Sequence, residues 1–238
     1  MATAPASFAK ETDGFFARHF DRRISGSISR LLIHTPVTPN QITVAVTGLG
    51  IVAGVAMANA GYWPKVAGAL LFLATSILDG CDGEVARAKH MTSRLGGWLD
   101  LWGDNVVHVA VFYGLGAGLY KDTGRPVYLW LGAAAVVGTV ISAALASVQT
   151  YFKIRRSGVR ADQGLFTSVV GDAGRLRSAP PWERRLASLS DALARRDFVY
   201  GVVFLAFINH LEIFLWPCAI GANIYAVVLI LLLGLARQ

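Results

Sequence analysis

Long apolar runs, interrupted at a few polar positions, organise this chain. Six can be drawn, at about 40–61, 64–88, 93–120, 126–153, 197–210 and 212–236. Each approaches the ~20 residues that a helix needs to cross hydrocarbon, apart from the fifth, which is short. Residues 198–236 carry a single charge, Glu212, over a length too great for one span and barely enough for two. A reversal is therefore expected near Asn209-His210, with a break at Pro217 as the competing reading. Upstream, Phe16, Phe20, Ile24, Ile28 and Leu31 or Leu32 recur at helical spacing among Arg18, Arg22, Arg23 and Arg30. That pattern predicts an amphipathic helix over 13–33, lying in the membrane interface or packed on the protein itself. Residues 157–181, rich in Gly, Ser, Asp and Pro, read as a linker or an ordered loop. After them, Trp182, Leu186, Leu189 and Leu193 share one face of a second interfacial helix over 182–196. The expected fold is all-α: a polytopic membrane protein of six transmembrane helices with an N-terminal interfacial helix. Residues 1–37 form a cytoplasmic segment and 38–238 the membrane domain, with a cytoplasmic loop at 155–196.

Composition agrees with this reading. Of 238 residues 54% are hydrophobic and 16% charged, a balance foreign to ordinary soluble domains. The net charge of +7 does not indicate nucleic-acid binding, because the basic residues gather between apolar runs. With the N-terminus inside, nineteen Lys and Arg fall on the cytoplasmic side and three, Lys65, Lys121 and Arg125, on the other. This positive-inside bias puts both termini in the cytoplasm, in the inner membrane for a bacterium. Residues 1–37 lack the compact apolar core of a signal peptide. Cys81 and Cys218 lie in apolar surroundings and suggest no disulfide framework.

Against that background four aspartates stand out: Asp79, Asp82, Asp100 and Asp104. Carboxylates near hydrocarbon persist when paired, metal-bound or facing a polar cavity. Asp79 and Asp82, and Asp100 and Asp104, fall on shared helix faces, and a short loop makes their helices antiparallel neighbours whose carboxylates converge. An all-oxygen set suits Mg²⁺ or Mn²⁺ rather than zinc, and two such ions would neutralise a pyrophosphate. Gly80, Gly83 and Gly96 leave room for a bulky polar ligand. Glu84 is expected to be solvated near the interface and Cys81 to serve packing. His108 reads as bonded to a neighbouring helix, or else as tuning Asp104. Trp98 and Trp102 read as interfacial or packing aromatics.

The spacing is more specific than the chemistry. The pattern D-x-x-D-G-x-x-A-R, eight residues, G-x-x-x-D-x-x-x-D is met at Asp79, Asp82, Gly83, Ala86, Arg87, Gly96, Asp100 and Asp104. It resembles the CDP-alcohol phosphotransferase family, as does Thr38-Pro39-Asn40-Gln41-Ile42-Thr43 before the first span. The resemblance covers about residues 38–236. It implies attack of an acceptor hydroxyl on the β-phosphorus of a CDP-alcohol such as CDP-diacylglycerol, with release of CMP. By the family pattern Asp79, Asp82, Asp100 and Asp104 hold two Mg²⁺ or Mn²⁺ ions, and Asp104 is also the base. Asn40, Thr43, Asp79, Gly83, Ala86, Arg87 and Gly96 would face the CDP moiety, Arg87 alternatively securing the fold. A homodimer is implied by the family, and Gly114 and Gly118 form a small-residue pair compatible with helix association. Ala194-Arg195-Arg196-Asp197-Phe198, Leu211-Glu212 and Ala219-Ile220-Gly221-Ala222-Asn223 resemble members that use inositol phosphates. Arg155 and Arg196, in a basic cluster with Lys153, Arg156 and Arg195, would then bind an acceptor phosphate or anchor the spans. Two other classes place acids in membranes: a prenyltransferase, which fits the motif and span count poorly, and a non-enzymatic divalent cation transporter, which leaves the glycines unexplained.

Overall fold

The computed structural model describes residues 20–157, 180–193 and 197–235, which are all-helical, with no strand among them. The elements are α1 (Arg22–Ile33), α2 (Pro39–Met57), α3 (Tyr62–Ala88), α4 (Arg94–Thr123), α5 (Val127–Ser157), α6 (Pro181–Leu193), α7 (Phe198–Phe207) and α8 (Leu211–Leu235). Four of them, α2, α3, α5 and α8, are long and apolar enough to cross a bilayer. α4 has the length, at 30 residues, but dilutes its apolar content with the aspartate motif; α7 has 10 residues. The outer surface carries many large apolar side chains, among them Val55, Trp130 and Phe204. Such a surface suits lipid, not water.

Local chemistry sets the boundaries. Thr38 and Gln41 form a reciprocal capping box at the start of α2, with Pro39 in the first helical turn. α4 starts on Ser93, whose Oγ accepts from Gly96 N at 3.0 Å, and ends on Gly124 in the left-handed region at φ 68°. The chain reverses between α7 and α8 through Asn209, at φ 57°, while Pro217 lies inside α8.

α2 is the centre of the arrangement. Gly50 of α2 abuts Val107 of α4, Gly54 abuts Ala110 and Gly114, and Met57 abuts Gly118. These pairs run in the same order, so α2 and α4 are parallel. A Cβ at Gly114 would lie 2.1 Å from Gly54 O, and one at Gly118 2.0 Å from Met57 O. The small-residue pair therefore packs two helices of one chain, and a second copy would have to use another surface. α2 also packs along α3, whereas α3 and α4 scarcely touch. This corrects the expectation that α3 and α4 are direct neighbours: α2 wedges between them.

The core runs through α2, α3, α4, α5, α7 and α8, with Met57, Leu115 and Leu215 fully enclosed. At one end Lys65, 3% exposed, pairs with Asp122 and also points its ammonium at Asn59 O and Gly61 O, each 3.3 Å away. Asp122 accepts from Gly61 N at 2.7 Å, and Lys121 donates to Ala58 O at 2.7 Å. Lys65, counted among the outer-side cations in the sequence, is a buried member of the first turn of α3.

α1 packs on α3 through its small face of Ser25, Gly26 and Ser29. Phe20 and Leu31 are 55% and 70% exposed, so part of its apolar side points away from the protein. Ile28 and Leu32 instead join a small cluster with Ile42, Val46, Cys81 and Val85. On α6, Trp182 and Leu189 are likewise exposed.

Candidate active site

The N-terminus of α2 joins the two halves of the motif. Its capping box fixes the first turn, so that Asn40 and Thr43 face opposite partners. Asn40 Oδ1 lies over Gly96, 3.0 Å from where a Cβ would stand. Thr43 Oγ1 donates to Asp82 Oδ2 at 2.5 Å, from a buried position 3.2 Å from Pro39 O. One turn on, Thr47 Oγ1 donates to Thr43 O at 2.8 Å and fills the space over Gly103, beside Asp104. Thr47 and Gly103 were not singled out from the sequence; only the run of Thr at 43 and 47 hinted at a hydroxyl-bearing face.

On α3, Asp82 is buried, and its Oδ1 accepts from Gly83 N. Arg87 folds back along the helix, with Nη1 3.3 Å from a Cβ at Gly83, so this glycine leaves space for a guanidinium. Asp79 and Ala86 are half-buried on the same helix. Glu84 departs from expectation. It is 0% exposed, held by Arg22 Nη1 at 3.1 Å and Ser25 Oγ at 3.2 Å. α1 covers it, which the motif pattern alone does not encode. Cys81 is buried beside it and packs as expected.

On α4, Asp100 and Asp104 are half-buried. Asp104 lines a narrow cleft with Thr75 and Ser76 of α3, His108 of α4 and Val199 of α7. His108 Nδ1 lies 2.7 Å from Asp104 O and, since a carbonyl only accepts, donates to it. Its ring also packs near Phe72, Phe112 and Phe198. His108 thus bonds back within its own helix through Nδ1. A larger cavity, about 430 Å³, lies at the Lys65 end, lined by Asp122, Arg125 and Glu212, and contains none of the motif.

The donor set fits a hard divalent cation: four carboxylates, two each on α3 and α4, with hydroxyls nearby. Among the described residues, no three Asp, Glu, His or Cys groups come together as a ready-made metal cluster. Of the acceptor residues, Arg196 lies outside the described residues, as do Arg195 and residues 158–179. Arg155 belongs to the last turn of α5, and nothing is described of its side chain. Asn223 bridges helices, its Nδ2 donating to Ala134 O at 2.9 Å and Ala219 O at 2.7 Å.

A family model described as CDP-alcohol phosphatidyltransferase matches residues 36–171, more than half of the chain and the whole motif. The chain belongs to the CDP-alcohol phosphatidyltransferase family. It is accordingly placed among enzymes of the membrane, and the prenyltransferase and transporter readings fall away. The bifunctional IPC transferase and DIPP synthase of Thermococcus kodakarensis is 42% identical over 133 residues, 54% of this chain and 28% of that protein. The phosphatidylinositol phosphate synthase of Mycobacteroides abscessus is 30% identical over 156 residues, 64% of this chain and 66% of that one. The chain thus spans just over a quarter of the first relative's length and about two thirds of the second's. Phosphatidylinositol phosphate synthase of Mycobacterium tuberculosis with CDP-DAG bound superposes at TM-score 0.58 and 20% identity, covering 86% of this chain and 90% of that one. The structure of the same enzyme in complex with manganese and citrate gives TM-score 0.50 at 21% identity, covering 88% of each chain. At these identities the likeness shows the family's fold.

Proposed function

We propose that the chain transfers a phospho-alcohol group from a CDP-alcohol, with CDP-diacylglycerol the leading donor, to the hydroxyl of an inositol phosphate or similar polar alcohol, releasing CMP. The observation that carries this reading is the bridging of both motif halves by α2, through Thr43–Asp82 and Asn40 over Gly96. Asp79, Asp82, Asp100 and Asp104 would hold Mg²⁺ or Mn²⁺, in keeping with the manganese named for the Mycobacterium tuberculosis enzyme. Bound there, the cations supply charge neutralisation of the pyrophosphate and polarisation of the attacked phosphorus. The chain's own residues do the rest. Asp104, in its cleft between α3, α4 and α7, accepts the proton of the acceptor hydroxyl as the new O–P bond forms and the bond to CMP breaks. Asn40, Gly83, Ala86, Arg87 and Gly96 border the space for the nucleotide, with Arg87 beside the phosphates. Arg155 and Arg196 remain the candidates for the acceptor's phosphate. Six helices, α2–α5, α7 and α8, form the membrane domain, with the motif and both termini toward the cytoplasm. α1 and α6 would lie in the interface.

The test is CMP release from a panel of CDP-alcohols and acceptors with Mg²⁺ or Mn²⁺, products identified by mass spectrometry. A phosphatidylinositol phosphate from CDP-diacylglycerol and inositol phosphate is the expected product. CMP release with other acceptors only would replace the acceptor. No CMP release with any pair would overturn the reading.

A further inference from the structure

Glu84 lies inside the motif at a position the family pattern leaves open, yet it is the fully buried acid of the described residues. A carboxylate is kept in such a place only with compensation. Its donors among the described residues, Arg22 Nη1 and Ser25 Oγ, fall on Oε1, and both come from α1. Oε2 is equally buried and has no hydrogen-bond partner among the described residues. The salt bridge to Arg22 is therefore the main charge compensation in view.

The placement of that pair is informative. A Cβ at Gly80 would stand 3.3 Å from Arg22 Nη1 and 3.9 Å from Glu84 Oε1, so the guanidinium rests on the backbone notch of Gly80. One short stretch of α3, residues 79–84, thus carries Asp79, Asp82, the notch and Glu84. α2 grips this stretch from one side through Thr43, and α1 grips it from another through Arg22 and Ser25. The other end of the contact reaches further: Asp21, just before α1, accepts from Tyr200 Oη of α7. Val199, adjacent to Tyr200, is a wall of the cleft that holds Asp104. α1 therefore straps the carboxylate-bearing stretch of α3 to the α7 side of the Asp104 cleft.

We propose that Glu84 is a positioning residue: paired with Arg22, it docks α1 on the motif stretch and so sets where α3 presents Asp79 and Asp82 relative to Asp104. It touches neither substrate nor acceptor. The kinetic arm of the test rests on the proposed reaction; the docking and binding arms do not.

The two single changes are asymmetric. Arg22→Met strands a buried carboxylate, whereas Glu84→Gln keeps an acceptor for Ser25 and removes the charge. In full-length protein in detergent, free of metal and substrate, Arg22→Met is expected to raise hydrogen exchange across α1. In turnover it is expected to lower kcat about tenfold or more while KM for the CDP-alcohol changes by less than about threefold. Adding Glu84→Gln to Arg22→Met should restore much of both, as should Arg22→Lys in place of Met. A purely structural pair would lower the yield of folded protein without moving kcat of the folded fraction. Unchanged α1 exchange in Arg22→Met, or a released α1 with unchanged kcat, overturns the proposal. If the wild type releases no CMP, the proposed reaction fails and Mn²⁺ binding followed by electron paramagnetic resonance decides instead. There, about tenfold weaker binding in Arg22→Met supports the positioning role, and equal binding rejects it.

Discussion

Thr43 Oγ1 and Asp82 Oδ2 meet across the α2–α3 interface at 2.5 Å, the shortest described link between the first span and the motif. Without this donor a buried carboxylate loses a partner. Thr43→Val is expected to cost about 1–3 kcal/mol of stability. It should also reduce CMP release at least about tenfold, while Thr43→Ser retains most of both. Thermal unfolding in detergent and initial rates check the two effects separately.

On the proposed reading Asp104 takes the proton of the acceptor hydroxyl. Asp104→Asn keeps the size and loses the basicity, so CMP release should disappear while folding and CDP-alcohol binding largely persist. Wild-type turnover in this variant would remove Asp104 as the base, whatever its role toward a cation.

A donor set built on four carboxylates favours hard cations. Stripping with a chelator should abolish turnover, and Mg²⁺ or Mn²⁺ should restore it. Metal-independent CMP release would contradict the cation assignment.

The glycines of α4 make a stability prediction independent of catalysis. Gly118→Ala places a Cβ 2.0 Å from Met57 O, where only backbone can yield. Overpacking of this kind costs about 1–3 kcal/mol. Gly48, with nothing within 4 Å, is the control: Gly48→Ala should be neutral or stabilise by up to about 1 kcal/mol. Because the pair at 114 and 118 is used within one chain, its substitution should lower thermal stability without a specific loss of any dimer.

The Lys65–Asp122 pair joins α3 to α4 at the end away from the motif. Asp122→Ala leaves a nearly enclosed ammonium with backbone carbonyls alone and should cost about 2 kcal/mol or more, less than a wholly buried pair because Asp122 is partly exposed. Restoration of the unfolding midpoint by adding Lys65→Met would show that the stranded charge is the cause.

Much of this was legible in the chain. Apolar run length marked the helices to within a few residues, because a bilayer imposes it, and Asn209 marked the last reversal through its tolerance of positive φ. The motif pairs Asp79 with Asp82 and Asp100 with Asp104 by helical spacing alone. What spacing cannot supply is the third helix: α2 parts α3 from α4, with its Gly50 and Gly54 set against Val107 and Ala110. Glu84 was misread for a related reason. A charge near the end of a membrane helix is ordinarily solvated, and the residue that buries it, Arg22, is 62 positions away. Gly114 and Gly118 signalled close helix contact without naming the partner helix.

The far-end lock has a mechanical consequence. Asp122, Lys65, Gly61 and Lys121 fasten the α2–α3 turn to the end of α4, so α3 and α4 share a fixed pivot there. Asp82 stands seventeen residues along α3 from Lys65, a lever arm of about 25 Å. A tilt of only about 5° at the pivot swings its carboxylate by about 2 Å, a large displacement beside the length of a metal–oxygen bond of about 2.1 Å. Loosening this one salt bridge and its backbone hydrogen bonds, remote from the motif, should therefore blur the spacing of the acids before the bundle itself comes apart.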